Sequence, residues 1–582
     1  MRKDVAQRVY SSINISYDLT EDLSLKTRGN YDKSFFTFDQ RLYAGSDPAF
    51  VPETGRYIYE RTENTQQYID FIAVYDKEVS DKIDLSFTSG AILTKYSLGD
   101  RVLLDSGNSV GLRFPNEFTI ANFESSEGIE QSESNKETQS VFFAANIGFD
   151  DKFYFDITGR NDWSSTLVNT ESTSFFYPSF GATAILDKLF ELPESVNYAK
   201  MRASYAQVGR DIPPYATVPL RTIGTTNNPG GNIGSANQVT FAPREGETLE
   251  PEMQKSYEIG TEWRFFGSRF GVDLTYYNSS TENQIFFIAA EPNIQGYDQN
   301  IVNAGEIKNE GVELVLTGKP IKTDDFLWST TLNYARNKNT VVSVHPSLED
   351  GEAILTNPGV NGYGYSLVEG EDFGSIRARS LVRNDNGVPI ADVDEDGNIT
   401  LQSTDFETVA HAQPDFTFGW NNTFDYKNFF FSFLIDGKFG GSVLSVTEAI
   451  NDFYGVSQTS ADARNNNSSL INIVDSNGNP TQMTAQSYYT QIGGRAGLLG
   501  EYVYDATNVN LREVSLGYNF EETGDFFNSI KLSLIATNLL FIYKDAPFDP
   551  NITSSTGIGL QGVDIYGLPT NRSVGLNLNL KF

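Results

Sequence analysis

Few short motifs in this sequence have the residue types and spacing of a chemical site. Asp392-Val393-Asp394-Glu395-Asp396-Gly397-Asn398-Ile399 places hard oxygen ligands at positions one, three and five and a glycine at six. That is the first half of a calcium loop, with Asp392, Asp394 and Asp396 as ligands. Position twelve is Ser403 rather than a carboxylate, and Asp405 follows two residues later, so an acidic turn competes with calcium. Gly107-Asn108-Ser109-Val110-Gly111 fits the G-x-S-x-G elbow of a hydrolase but stands in loop sequence, not between strand and helix. The only histidines, His345 and His411, are not near it and form no metal pair. Gly557-Ile558-Gly559-Leu560-Gln561-Gly562 fits G-x-G-x-x-G without the βαβ unit that would hold a dinucleotide. Asn571-Arg572-Ser573 matches a glycosylation acceptor but opens a strand. No catalytic constellation emerges, and no cofactor is required, with calcium the one cofactor the residues offer.

Binding has better support. Tyr297, Tyr363, Tyr365, Phe453, Tyr454, Tyr488 and Tyr489 lie in long polar segments. Rings with a polar handle suit stacking on sugar faces or peptide side chains, so these seven are the candidate substrate-binding residues. The competing reading is packing within loops or a girdle at a membrane interface.

The elements that must carry these loops are strands. In residues 571–582, Val574, Leu576, Leu578, Leu580 and Phe582 alternate with Ser573, Gly575, Asn577, Asn579 and Lys581. Side chains alternate across a strand, so one face is apolar and the other polar, with Phe582 as a terminal aromatic suited to signal outer-membrane assembly. The register expectation is that Asn577, Asn579 and Lys581 face a polar interior, with Val574, Leu576 and Leu578 outward. The same dyad pattern recurs at Ile83/Leu85/Phe87, Phe153/Phe155/Ile157, Val272/Leu274/Tyr276 and Phe431/Phe433/Ile435. It predicts strands at 8–18, 22–37, 64–79, 82–97, 136–149, 152–163, 175–187, 197–208, 254–266, 268–284, 306–319, 326–338, 361–368, 373–383, 415–426, 428–440, 507–520, 528–540 and 571–582, about nineteen in all.

The connections between these strands alternate in length. Short turns fall at Asp18–Asp22, Glu78–Lys82, Phe149–Lys152, Leu189–Ser195, Phe266–Arg269, Lys319–Phe326, Glu369–Phe373 and Asp425–Asn428. Long loops fall at 38–63, 98–135, 209–253, 285–305, 339–360, 384–414, 441–506 and 541–570. Short turns on one side and long loops on the other are the signature of a transmembrane antiparallel β-barrel.

Composition agrees. Tyr (30) and Phe (42) are abundant, Cys is absent, and no composition break divides the 582 residues, so residues 1–582 read as one barrel. A net charge of −33 argues against general nucleic-acid binding, which needs excess Lys and Arg. No apolar run of about 18 residues offers a membrane helix. Met1–Asn14 lacks the apolar core of a signal peptide, so the expectation is a chain that has lost its true start.

Ordered segments along the chain resemble the SusC/RagA family of TonB-dependent outer-membrane transporters of Bacteroidetes. They are Phe176-Tyr177-Pro178-Ser179-Phe180-Gly181, 200–209 (KMRASYAQVG), Leu249-Glu250-Pro251-Glu252 with Tyr257-Glu258-Ile259-Gly260, and 303–313 (NAGEIKNEGVE). Pro414-Asp415-Phe416 with Tyr426-Lys427-Asn428-Phe429, then 511–518 (LREVSLGY), Asn538-Leu539-Leu540 and Arg572-Ser573 continue the set. The resemblance implies a barrel of about 22 strands around a plug, a TonB box, and a SusD-like surface lipoprotein as lid. By it the signal, TonB box, plug and about three strands are missing here, and this chain alone is not expected to transport. The function it implies is active import of an oligosaccharide or peptide, energised by TonB-ExbB-ExbD through the missing N-terminal region. A passive pore or surface adhesin in outer-membrane lipid is the alternative, and a soluble glycan-active enzyme is disfavoured because its Leu and Phe rows would stand in water.

Overall fold

The structure, a computed structural model, describes all residues except 125–127, 219–220, 225–235, 240, 290–298, 304, 347, 349–351, 357–361, 466–468, 522–525, 553–560 and 582. Its main sheet has 17 strands. They are β1 (Arg2–Asp18), β2 (Leu23–Leu42), β3 (Arg56–Ser80), β4 (Ile83–Asp105), β5 (Gly128–Phe149), β6 (Phe153–Ser164), β7 (Ser174–Ile185), β8 (Val196–Arg210) and β9 (Glu252–Phe265). The series continues with β10 (Phe270–Glu282), β11 (Glu306–Lys322), β12 (Phe326–Ser343), β13 (Phe416–Tyr426), β14 (Phe429–Phe439), β15 (Asn508–Glu521), β16 (Ser529–Lys544) and β17 (Ser573–Lys581). Pairing is antiparallel and in chain order through β1 to β6 and through β11 to β17. The chain divides into two compact units: Met1–Thr183 with Ser204–Lys255 and Thr281–Ala304, and Ala184–Ala203 with Ser256–Ser280 and Gly305–Phe582.

Within the first unit, register sorts side chains by face. One row across β1–β6 runs Asn14, Arg28, Asp70, Ile92, Ser140 and Asp162. Asp70 is fully buried on it, taking hydrogen bonds from Arg28 Nε (2.7 Å), Arg28 N (3.0 Å) and Tyr68 Oη (2.5 Å). The adjacent row, Ile13, Gly29, Ile69, Leu93, Gln139 and Trp163, is mostly apolar, and Ile13, Ile69 and Trp163 are exposed. A one-residue slip would exchange these faces.

β3 begins at Arg56 rather than 64, and β5 at Gly128 rather than 136. Both run well beyond the 9–11 residues that a bilayer needs. In the extra length charge pairs replace alternation: Arg56 with Asp105 (2.6 Å), and Arg101 with Glu60 (2.9 Å) and Glu130 (3.1 Å). The segment after β4 folds back on these ends, burying Leu112 and Phe123 against Tyr57. Ser109 of the G-x-S-x-G motif is an exposed residue of that segment.

In the second unit, Trp328, Phe424, Phe431, Leu516, Leu534 and Leu576 form one apolar row, with Trp328 and Phe424 stacked at 5.7 Å. The row beside Leu576 pairs Gly517, Ser533 and Asn577, and Leu578 returns to the apolar side opposite Leu532. The final strand therefore sets Leu576 and Leu578 opposite Leu534 and Leu532 on one face and Asn577 opposite Ser533 on the other. Two expected strands leave the main sheet. Tyr363–Val368 and Ser375–Ala378 belong to a separate four-stranded sheet. Tyr363 to Leu367 are all buried, so neither face of this strand meets solvent or lipid, and Glu369–Phe373 is a turn within a long connection.

That connection is part of a folded cap. Segments 344–415, 440–507 and 545–572, which link β12 to β13, β14 to β15 and β16 to β17, share one hydrophobic core. Its fully buried members include Tyr365, Ile376, Leu444, Leu499 and Val563. Short parallel ladders stitch the segments together, Ile390–Ala391 to Val474–Asp475 and Leu444–Ser445 to Val563–Asp564. Among the described residues it carries the α-helices α1 (Val446–Phe453), α2 (Gln458–Asn465) and α3 (Ala485–Ile492).

Candidate binding cavity in the loop cap

The helices start where side chains satisfy their first N–H groups. Ser445 Oγ accepts from Glu448 N (3.1 Å) at α1, and Thr484 Oγ1 from Ser487 N (3.1 Å) at α3. The turn from α1 to α2 is tied to a buried carboxylate, Asp452, which accepts from Thr459 Oγ1 (2.8 Å), Tyr502 Oη (2.9 Å) and Ser457 Oγ. Burial first, and then Asp452, push the Tyr502 phenol up, so it remains a donor.

These anchors leave a cavity of 480 Å³ between the end of α1, α2 and the start of α3, which is in the size range of small-molecule sites. Phe453, Tyr454, Arg464, Leu470, Gln486 and Tyr489 line it. Phe453 and Tyr454 meet edge to face at 5.1 Å, and Tyr454 is 72% exposed. Arg464 Nη1 donates to Gly455 O (2.7 Å), and among the described residues no carboxylate pairs with this guanidinium. The arrangement offers ring faces, one cation and amide and hydroxyl groups; it offers nothing that would break a bond.

The seven aromatic candidates separate. Phe453, Tyr454 and Tyr489 meet at the cavity. Tyr488 and Tyr489 both pack on the cap core, and of the two only Tyr489 also lines the cavity. Tyr363 and Tyr365 are core residues, the latter donating to Gln561 O (2.6 Å). Their burial leaves them no ring face for a ligand. Tyr297 and Phe582 lie outside the described residues, as do Gly557 to Leu560. Arg464, Gln486 and Thr490 were not singled out from the sequence. The capping box Ser445-x-x-Glu448 was the available signal that a helix starts inside this loop.

The acidic motif has a different use. Asp394 Oδ1 accepts from Asp396 N (3.0 Å) and Asn398 N (2.7 Å), and Oδ2 from Asn398 Nδ2 (2.7 Å). Asp475 makes the same three bonds with Asn477 and Asn479, and Asn384 makes the two backbone ones with Asn386 and Val388. Gly397 and Gly478 both take φ of 83°, open to glycine without strain. Asp392 instead accepts from Gln402 Nε2 (2.7 Å) and Ser476 Oγ (2.5 Å). Among the described residues no three such side chains converge on a metal position. As placed, Asp394 closes its own hairpin and Asp392 is tied to Gln402 and Ser476, the acidic-turn alternative to a calcium loop.

Residues 59–429 match the family described as TonB dependent receptor-like, beta-barrel. The chain belongs to the TonB-dependent receptor-like β-barrel family. TonB-dependent receptor P3 of Formosa agariphila is 28% identical over 485 residues, covering 77% of this chain and 46% of that protein. TonB-dependent receptor SusC of Bacteroides thetaiotaomicron is 23% identical over 362 residues, 60% of this chain and 34% of the relative. The chain spans about half the length, or less, of the curated relatives it matches. Its fold is that of a chain in the RagAB peptide transporter structure, at a TM-score of 0.75 and 17% identity over all of this chain and 63% of that one. As a TonB-dependent receptor-like barrel it is an outer-membrane, multi-pass protein. The family is one of receptors and transporters rather than an enzyme class.

Proposed function

We propose that this barrel belongs to an active importer of a nutrient too large for passive pores, an oligosaccharide or a peptide. The observation that carries the reading is the family match over residues 59–429. The cap cavity of Phe453, Tyr454 and Tyr489 adds a place outside the main sheet where a ligand could be held by ring faces. In this reading a SusD-like lipoprotein closes over the loops, and TonB-ExbB-ExbD supplies the energy for import. The substrate is moved and not chemically changed. RagAB is a peptide transporter by its printed description, and SusC a TonB-dependent receptor. The test is uptake by cells carrying the whole gene, with and without a functional TonB. Growth on glycan or peptide nutrients that needs both supports the reading. Uptake indifferent to TonB would replace it with passive passage.

A further inference from the structure

We propose that the cap cavity binds an acidic oligosaccharide, with a uronate-type carboxylate held by Arg464 and a sugar face on Tyr454 and Tyr489. This rests on the importer reading and names the substrate class it would take.

Three observations in the cavity converge on that chemistry. First, its charge is unlike that of the chain. The protein carries a net charge of −33, and basic residues elsewhere commonly sit in ion pairs, such as Arg56 with Asp105, Arg383 with Glu501 and Arg512 with Asp436. Arg464 is exposed, lines the cavity and has no carboxylate partner among the described residues. The one acid in the lining, Asp452, is buried and already accepts from Ser457, Thr459 and Tyr502. The cavity therefore has a guanidinium without a carboxylate beside it; with Nη1 on Gly455 O, its Nε and Nη2 edge suits a ligand carboxylate in a two-point contact.

Second, the rings are placed for stacking. Phe453 meets Tyr454 edge to face and closes over Gly494, where even a Cβ would lie 3.1 Å from the ring. Phe453 is thereby fixed and Tyr454 left with an open face. Third, the remaining wall mixes apolar Ala463, Leu470 and Ala485 with Thr484, Gln486 and Thr490, whose amide and hydroxyl groups can each donate and accept. Sugar hydroxyls need partners of both kinds, and the apolar members of the wall suit the C–H face of a sugar ring.

The test uses tetragalacturonate, its carboxyl-reduced neutral counterpart and an acidic peptide of matched charge, titrated into the detergent-solubilised chain. Arg464→Gln is expected to weaken tetragalacturonate at least tenfold and leave the neutral counterpart within twofold, with Arg464→Lys intermediate. Tyr454→Ala, at an exposed position, is expected to weaken both sugars. Unchanged far-ultraviolet spectra and thermal midpoints show that the variants fold. No tetragalacturonate binding, binding indifferent to Arg464→Gln, or preference for the acidic peptide each overturn the proposal. TonB-dependent uptake that persists in cells carrying Arg464→Gln on every acidic glycan overturns it too, while leaving the importer reading in place.

Discussion

Asp394 and Asp475 each use a carboxylate to close a hairpin, and Asn384 does the same work with an amide. The shared geometry predicts that Asp394→Asn keeps its turn, while Asp394→Ala speeds hydrogen exchange at the amides of Asp396 and Asn398. Calorimetry with calcium checks the same point from the other side: a tight, stoichiometric calcium signal lost in Asp394→Asn would contradict the turn role. Hydrogen bonds from the Asn398 side chain and backbone hold Asp394 below the usual carboxylate range, and those from Asn479 do so for Asp475. Their contribution to the cap is present at neutral pH and lost as pH falls through the lowered values. Glu448 has the opposite sign, because burial, then Asp452 and Asp564, push it up. Its folded form favours the proton, so that contribution is complete in acid and lost as pH rises through the raised value. Glu448→Gln is expected to flatten the pH dependence of cap unfolding above the ordinary carboxylate range, as followed by exchange mass spectrometry. In the main sheet, Asp70→Ala strands Arg28 without its acceptor. The expected loss is about 1.5–3 kcal/mol, read from urea unfolding in detergent.

At the scale of elements, β17 gives the sharpest test of register. Leu576 stands in an apolar row and Asn577 in a polar one. Leu576→Lys should destabilise the barrel by about 2–4 kcal/mol if it lies near the bilayer midplane, and less near an interface. Asn577→Lys should be near neutral. Equal effects of the two substitutions would show that the faces are not distinguished by lipid. The strand boundaries also tell where lipid stops acting. The outer end of β3 carries Arg and Glu on both faces and that of β5 carries Glu130 and Glu133 on opposite faces, so neither shows the alternation that marks a spanning segment.

For the molecule as a whole, the cap turns three connections into one cooperative structure. Leu499 is fully buried in its core, beside residues contributed by segments 344–415 and 545–572. Leu499→Ala is expected to cost the cap about 2–5 kcal/mol. Limited proteolysis should then cut all three segments faster while β11 to β17 stay protected. Faster cutting of 440–507 alone would mean that the segments fold independently.

What the sequence determined by itself was the local alternation. Trp328, Phe424 and Leu576 had to share a lipid face, because a charge there is costly and a side chain in a strand can point only two ways. The turn positions, the face of Asn577 and the antiparallel order follow from the same rule. The cap was decided by tertiary structure. Tyr363, Leu444 and Val563 are about 80 to 200 positions apart in the chain, and nothing in a local period says that they will meet. The same holds for the cavity. Phe453, Tyr454 and Tyr489 were legible as rings in loops, but only packing separated them from Tyr363 and Tyr365, which the core buried. Arg464 had no sequence signal at all, because its chemistry lies in having no acid beside it, which is a property of the fold and not of its neighbours in the chain.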